Sequence, residues 1–243
     1  MFDKLYGFLR RLRYRMVLPP VALQVKSNGF TYLSYERLAS LTRLLRQIKA
    51  NEISGDFVEF GVALGGSAIF MASELNEARA FYGYDVFAMI PPPGEQDDEK
   101  SRERYAVISS GNSIGMNGHQ YYGYMKDLHG TVCENFGKFG MLVDGSRIVL
   151  RKGRFEETLP GDADRTIALA HIDCDWYEPV RYCLGEASKR ISGGGFIVVD
   201  DYNDYGGCKM AVDEFLSNSQ EFRLLHTQPH AVIQRSQAAH FSP

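Results

Sequence analysis

Short apolar segments of strand type alternate with helical segments along most of this chain, and this alternation restricts its fold more than any other feature. Leucines at helical spacing predict a helix over 34–50 with Ser34 as its N-cap. A strand at 56–61, a helix at 67–78 and a strand at 80–87 follow. Strands that alternate with helices are typical of an open α/β sheet with mostly parallel strands.

The second half of the chain continues the alternation. Further strands and helices are predicted from apolar runs and helical spacing, at 147–150, 166–173 and 196–200 for the strands and at 121–139, 178–191 and Gly206–Ser217 for the helices. The segments Phe222–His226 and Ala231–Arg235 flank a proline turn, which indicates a terminal hairpin. This hairpin is expected to add one antiparallel strand to the sheet.

Two segments fall outside the alternation. Residues 88–120 are rich in proline, glycine and charge, and their lack of a sustained period predicts a long loop or lid. Residues 1–30 are predicted to be a basic arm ahead of a single domain at 31–243, because the first 50 residues hold ten Lys and Arg against two acids. Residues 2–17 are typical of an amphipathic helix that binds an anionic membrane or packs on another subunit.

Composition excludes several classes of protein. A net charge of −3 offers no overall basic field for nucleic acid. No apolar run is long enough to span a bilayer. The four cysteines form no CxxC pair and are too few for a disulfide scaffold, which predicts reduced thiols in a cytoplasmic protein.

A glycine-rich turn joins the first predicted strand to the helix that follows. It reads Glu59-Phe60-Gly61-Val62-Ala63-Leu64-Gly65-Gly66-Ser67. Glycines allow a ligand to approach the backbone closely, and the helix N-terminus offers free N–H groups. Asp85 ends the next strand, where an acid holds ribose hydroxyls in nucleotide-binding α/β folds. The spacing differs from G-x-G-x-x-G, so a tight turn without a ligand is the competing interpretation.

Carboxylates follow two apolar strands. Asp173 and Asp175 end one strand, and Asp200 with Asp201 end the next. Alternation along a strand puts the first pair on one face, and parallel strands present their carboxyl ends at one edge of the sheet. Clustered carboxylates repel one another unless a cation compensates, and hard oxygen ligands favour Mg²⁺, Mn²⁺ or Ca²⁺. Capping of the following helices by Asp175 and Asp201 is the competing interpretation.

Six segments carry a resemblance to a known family. In chain order they read GDFVEFGVALGGSA, YGYDVF, KGRFEETLP, HIDCDWYEP, GGGFIVVDDY and KMAVDEF. Together they resemble the macrocin O-methyltransferase (TylF-like) family across residues 30–220. The resemblance implies a Rossmann-like class I methyltransferase fold with helices on both faces of the sheet. It also implies a homo-oligomer that uses S-adenosylmethionine and Mg²⁺ or Mn²⁺ to methylate a sugar or glycoside hydroxyl.

The resemblance implies roles for single residues. Those that match the cofactor-binding positions of the family are Glu59, Gly61, Gly65, Gly66, Ser67, Asp85, Gly153, Arg154 and Phe155. Those that match its metal ligands are Asp173, Asp200 and Asp201. Residues 31–34 resemble a family segment that folds over the cofactor. Ala63-Leu64 replaces a Trp-Arg pair that is frequent in the family.

The implied chemistry needs a base beside the metal. A divalent metal lowers the pKa of the acceptor hydroxyl, and a nearby side chain takes the proton. Asp175 and Asp173 are the first candidates, and His119 and His171 are weaker ones. Aromatic side chains that are candidates to line the acceptor site are Tyr121, Tyr122, Tyr124, Trp176 and Tyr177.

Two other functions are compatible with these residues. An apolar strand that ends in Asp-x-Asp also marks metal-dependent glycosyltransferases, although the glycine turn and the second acid pair argue against this class. A basic amphipathic N-terminus also fits a non-catalytic adaptor for a membrane or a partner protein. Such an adaptor has no need of the carboxylate cluster.

Overall fold

The computed structural model describes residue 14 and residues 16–237. Within them, the strands are β1 (Asp56–Phe60), β2 (Phe81–Asp85), β3 (Ile148–Lys152), β4 (Ile167–Ile172), β5 (Ile191–Val199), β6 (Phe222–His226) and β7 (Ala231–Arg235). The helices are α1 (Pro20–Ser27), α2 (Tyr35–Ala50), α3 (Gly66–Ala72), α4 (Glu99–Ser109), α5 (Leu128–Gly137), α6 (Phe155–Thr158), α7 (Tyr177–Ser188) and α8 (Gly206–Ser217).

All described strands form one sheet in the order β3-β2-β1-β4-β5-β7-β6. Strands β1 to β5 run parallel, and β7 pairs antiparallel with both β5 and β6. One strand, β7, therefore runs against the other six, which confirms the antiparallel C-terminal strand. Every residue of β2 and β4 is buried, as expected for parallel strands that are covered on both faces.

Helices cover the two faces of the sheet and create two hydrophobic cores. Alternate residues of β5 divide between them: Phe196 packs with α1, α2, α3 and α5, whereas Ile197 packs with α7 and α8. The predicted α/β class with helices on both faces is thus confirmed. Every described helix is too short or too polar to cross a membrane.

The region predicted as a long loop, 88–120, contains helix α4. Asp98 caps this helix, because its side chain accepts a hydrogen bond from the N–H of Ser101. The prediction of a loop is therefore wrong for Glu99–Ser109. Only Ser101 and Ile108 of this helix are buried, so its sequence carries no apolar stripe that would have indicated a helix. The N-cap signal of Asp98 was present in the sequence.

Other boundaries differ by a few residues. Helix α3 ends at Ala72 instead of residue 78, and the helix predicted at 121–139 is limited to α5 and preceded by a short 3₁₀ turn at Tyr122–Tyr124. Strand β5 begins at Ile191, five residues before the predicted start. Ser34 caps α2 as predicted, by accepting a hydrogen bond from the N–H of Arg37.

The described part of the arm packs onto the domain. Ala22 and Val25 of helix α1 are fully buried, and α1 lies against α3. Residues 1–13 and 15, which hold most of the predicted amphipathic helix, lie outside the described residues. Met16, a member of its apolar face, is 85% exposed. Contact of this arm with a membrane or another subunit stays a prediction.

We expect Gly66→Ala to destabilise the fold by about 1–3 kcal/mol, the usual cost of overpacking. A Cβ atom at Gly66 would lie 2.5 Å from the Phe30 carbonyl oxygen, and the Gly66 N–H already donates to that oxygen. Urea unfolding measures the change. Gly185→Ala is the matched control, because a Cβ there meets nothing within 4 Å and a helical glycine gains roughly 0.5–1 kcal/mol on this change. Equal effects at both positions would contradict the packing argument.

Candidate active site

Three carboxylates converge at the carboxyl edge of the sheet. The register of β4 and β5 pairs Ile172 with Val199, so the residues that follow these strands, Asp173 and Asp200, are neighbours. One oxygen each from Asp173, Asp200 and Asp201 lies within 4.8 Å of the others. The sequence-based prediction that these three acids lie together is therefore matched by the geometry.

The three carboxylates have different electrostatic surroundings. Burial, and then the charges of the other acids, raise the pKa of Asp173 and of Asp201 well above the usual range. Burial acts in the same direction on Asp200, but two histidines and Arg37 outweigh it and hold the pKa of Asp200 below the usual range. Arg37 Nη1 lies 2.7 Å from Asp200 Oδ2, and His230 Nδ1 lies 3.2 Å from Asp200 Oδ1.

The donor set fits a hard divalent cation. Among the described residues, Asp173 and Asp201 form no ion pair, in contrast to Asp200. Two uncompensated carboxylates beside a third one are costly unless they are protonated or hold a cation. Carboxylate oxygens are the preferred ligands of Mg²⁺ and Mn²⁺, and all three acids are close enough together to share one ion.

Asp175 reaches this region by a turn and not as part of a strand. Strand β4 ends at Ile172, and Asp175 has a left-handed backbone with φ of 59°. The argument that strand alternation puts Asp173 and Asp175 on one face is therefore wrong. The N–H of Asp175 donates to Asp201 Oδ2 at 3.3 Å. Desolvation raises the pKa of Asp175 to about 7, with Arg104 opposing the rise and Asp200 adding to it.

A cavity of about 280 Å³ opens beside the acidic cluster. Its walls come from the turn after β1, the segment after β3 and the start of the predicted lid. Six of the residues predicted to bind the cofactor or the metal or to act as the base line it: Gly61, Asp85, Arg154, Phe155, Asp173 and Asp175. From the lid, Ile90, Pro91 and Pro92 contribute to the wall.

Two residues shape the glycine turn on the cavity side. Gly61 has φ of 88°, and a Cβ atom there would lie 1.8 Å from the Asp173 carbonyl oxygen, so only glycine allows the β1 and β4 loops to meet. Asp85 Oδ2 accepts hydrogen bonds from the N–H groups of Val62 and Ala63, at 2.7 and 3.0 Å. The buried Asp85 thereby holds the turn as well as facing the cavity.

The other five predicted cofactor residues do not line the described cavity. Those absent from the described cavity lining are Glu59, Gly65, Gly66, Ser67 and Gly153. The N–H of Gly66 donates to the Phe30 carbonyl oxygen, so it is not the free group that the sequence predicted. The N–H of Gly153 donates to the Asp85 carbonyl oxygen, which connects the segment before Arg154 and Phe155 to the end of β2. Roles of these residues in cofactor binding stay predictions.

A buried chain of charged groups connects Glu59, through His171, to Asp200 of the acidic cluster. Glu59 and His171 are both fully buried, and His171 Nδ1 donates to Glu59 Oε1 at 2.8 Å. Burial alone lowers the pKa of His171, but Asp200 and Glu59 raise it to about 10. His171 Nε2 lies 3.9 Å from Asp200 Oδ1. His171 is thus a partner of Glu59 and Asp200, and it does not line the cavity.

Sequence reasoning missed Arg37 and the pair Asp97 and Asp98. Arg37 reaches from α2 to Asp200 and Asp204 across the fold, and no local motif signals this contact. Asp97 Oδ1 accepts the N–H of Tyr177 at 2.9 Å, and Asp98 Oδ2 accepts the N–H of Gly206 at 2.8 Å. The N-termini of α7 and α8 are therefore capped from the lid.

Those contacts decide the competing interpretation of the acid pairs. Neither Asp175 nor Asp201 caps the helix that follows it, because the side-chain acceptors at the starts of α7 and α8 are Asp97 and Asp98. The capping interpretation is therefore wrong for both residues.

The aromatic and histidine candidates fall into two groups. Tyr122 and Trp176 line the cavity, and the Trp176 Nε1–H donates to the Pro91 carbonyl oxygen at 2.9 Å. The Tyr124 hydroxyl donates to the Ile108 carbonyl oxygen, so Tyr124 contacts helix α4 and is absent from the described cavity lining. His119 is exposed and absent from the described lining. The segment 31–34 lies beside the cavity, since Tyr32 packs edge-on against Tyr122 with ring centroids 6.0 Å apart.

Known proteins resemble this chain over most of its length. Residues 20–226 match the family described as macrocin-O-methyltransferase (TylF). The chain is 31% identical over 193 residues to the 8-demethyl-8-(2,3-dimethoxy-alpha-L-rhamnosyl)-tetracenomycin-C 4'-O-methyltransferase of Streptomyces olivaceus. It is 30% identical over 193 residues to the demethyldecarbamoylnovobiocin O-methyltransferase of Streptomyces niveus. Each match covers 78% of this chain and 68% of the relative.

A solved structure shows the same architecture. The O-methyltransferase NovP superposes with a TM-score of 0.68 and 26% sequence identity. The superposition covers 86% of this chain and 83% of that protein.

We expect His171→Leu to lower the free energy of unfolding by about 3–5 kcal/mol, because it leaves the Glu59 carboxylate buried without its partner. The double variant Glu59→Leu/His171→Leu removes both groups and should cost clearly less than the sum of the two single variants. Urea unfolding of all four proteins gives the coupling energy. Additive losses would show that the pair is not coupled.

Proposed function

The chain belongs to the macrocin-O-methyltransferase (TylF) family and is an S-adenosylmethionine-dependent O-methyltransferase, and we propose that it methylates a hydroxyl of a sugar or glycoside with the help of a divalent metal ion. The observation that carries the proposal is the opening of one cavity onto both the β1 turn and the acidic cluster. Both named relatives are O-methyltransferases, and the name of one specifies a rhamnosyl substrate.

The cofactor is proposed to lie between the β1 turn and the segment after β3. Asp85 offers a carboxylate oxygen for the ribose hydroxyls, since Oδ1 accepts one backbone hydrogen bond and retains a lone pair, whereas Oδ2 already accepts two. Phe155 offers an aromatic face and Arg154 a cationic side chain beside the adenine. S-adenosylmethionine supplies an electrophilic methyl group, so the protein's part is to align the acceptor oxygen with it.

Asp173, Asp200 and Asp201 are proposed to hold Mg²⁺ or Mn²⁺. The bound cation supplies a lowered pKa and a fixed orientation for the acceptor hydroxyl. Arg37 and His230 orient Asp200 and hold its carboxylate in the charged form. Gly61 keeps the β1 turn against the Asp173 backbone, which brings the cofactor side of the cavity next to the acids.

Asp175 is proposed to accept the proton of the acceptor hydroxyl. It lines the cavity beside Asp173, and a pKa of about 7 suits a base that works near neutral pH. Asp173, the second candidate from the sequence, is less free because it belongs to the three-carboxylate cluster. Trp176 and Tyr122 are proposed to pack against the acceptor, as both line the same cavity.

Family membership removes the support for the two alternative functions, the glycosyltransferase with an Asp-x-Asp motif and the non-catalytic adaptor.

A homo-oligomer, a cytoplasmic location and membrane contact through the basic arm stay predictions. The charge excess of the first 50 residues is what supports membrane contact.

Asp201→Asn is expected to weaken Mg²⁺ or Mn²⁺ binding by roughly 10–100-fold or more, because it removes one charged ligand of three. Affinity for S-adenosylhomocysteine should change little, since Asp201 is absent from the described cavity lining. Calorimetric titration of each ligand separates the two effects. Asp164→Asn is the control, as this exposed carboxylate precedes β4 at the opposite edge of the sheet. Unchanged metal affinity in Asp201→Asn would remove the metal from the proposal.

Asp175→Asn is expected to lower kcat by about 10²–10⁴-fold, the usual contribution of a positioned base. The wild-type rate should fall as the pH drops below about 7, where Asp175 becomes protonated, and a bound cation shifts this fall to lower pH. The rate of Asp175→Asn should show no such decrease at low pH. Glu178→Gln is the control, because Glu178 also lines the cavity but pairs with Arg181. An unaltered pH profile in Asp175→Asn would exclude Asp175 as the base.

A further inference from the structure

Hydrogen bonds attach the N-terminal end of helix α4 to α7, α8 and the loop after β5. Asp98 caps α4 through Oδ1 and accepts the N–H of Gly206 in α8 through Oδ2. Asp97 is 3% exposed and accepts the N–H of Tyr177 in α7. Lys100 Nζ adds a hydrogen bond to the Asp204 carbonyl oxygen at 2.5 Å. The first turn of α4 is therefore attached to the segments that follow both pairs of acids.

This attachment brings Arg104 towards Asp175. The Arg104 guanidinium carbon lies 5.6 Å from the centroid of the Tyr121 ring. Its charge interacts with Asp175, Tyr121 and Tyr205, residues from three separate loops around the acidic cluster. The Tyr121 ring packs against Tyr122, which lines the cavity, with ring centroids 4.4 Å apart. Arg104 is therefore separated from the cavity wall by one aromatic ring.

The hydrogen-bond donors of Arg104 have no protein acceptor. Within residues 14 and 16–237, its guanidinium forms no hydrogen bond and no ion pair, although the side chain is half-buried. Nearby arginines differ: Arg37 pairs with two aspartates, and Arg102, on the same helix, donates to the Glu95 carbonyl oxygen. A half-buried guanidinium that has lost part of its hydration gains most from an oxyanion, which accepts two parallel N–H bonds.

We propose that Arg104 binds an oxyanion of the acceptor, a carboxylate or a phosphate, and so selects an acidic or phosphorylated sugar over a neutral one. The inference rests on the proposed methyl transfer to a sugar hydroxyl. Asp173, Asp175 and Asp201 form no ion pair within the described residues, so they repel an anionic acceptor unless cations compensate. Arg104 supplies that charge next to Asp175, and its planar fork adds direction to the contact.

The test measures binding of three sugars to the wild-type protein loaded with S-adenosylhomocysteine and Mg²⁺. The probes are glucose 1-phosphate, glucuronate and the neutral methyl glucoside, and calorimetry gives each dissociation constant. The wild type should bind at least one anionic sugar about 10–100-fold more tightly than methyl glucoside, the range expected for hydrogen bonds to a charged group. Which anionic sugar is favoured distinguishes a phosphate from a carboxylate as the natural group.

Three variants assign the preference to one side chain. Arg104→Gln should abolish it, and Arg104→Lys should retain part of it, because lysine keeps the charge and loses the fork. Arg102→Gln is the matched control and should keep the full preference, since Arg102 is exposed and donates to the Glu95 carbonyl.

Two results overturn the proposal: a wild type that binds neither anionic sugar more tightly than methyl glucoside, or Arg104→Gln with its preference intact. Failure of the underlying function has a different signature, because a protein that binds no S-adenosylhomocysteine fails before any sugar is added.

Discussion

A buried chain of charges from Glu59 through His171 to Asp200 and Arg37 is the interaction on which the rest of the site depends. It ties β1, β4, the loop after β5 and helix α2 together at the carboxyl edge of the sheet. Each charged group in it is stable only beside the next, because burial removes the water that would solvate it. The positions of the β1 turn and of the acidic cluster therefore cannot vary independently.

This chain distributes charge unevenly among the acids. The cationic partners gather on Asp200, while Asp173 and Asp201 are left without an ion pair among the described residues. The cluster therefore attracts a cation without being neutralised by the protein itself. Asp175, one turn away, has a pKa near 7, as desolvation outweighs the influence of Arg104. Among the described residues, one small region thus combines three clustered carboxylates, a fourth carboxylate with a raised pKa and a guanidinium without an ion pair.

Much of this site was predictable because it follows from strand register. Two apolar strands that end in aspartates must bring those aspartates together once the strands pair in parallel, and Asp173, Asp200 and Asp201 do so. The reason given for Asp175 was wrong, because a left-handed turn rather than strand alternation places it. Arg37 and Asp97 were unpredictable, since their partners lie 163 and 80 residues away along the chain.

The sequence by itself determined the α/β sheet, the antiparallel terminal strand and the edge at which the acids gather, since these depend on local apolar period and chain direction. Only the tertiary structure decided which glycine faces the cavity, which acid is ion-paired and which helix N-terminus is capped from the lid. Gly66, for example, lies against the Phe30 carbonyl and donates its N–H to that oxygen. The physical reason is that desolvation and hydrogen-bond pairing are set by residues distant in sequence, which no local pattern encodes.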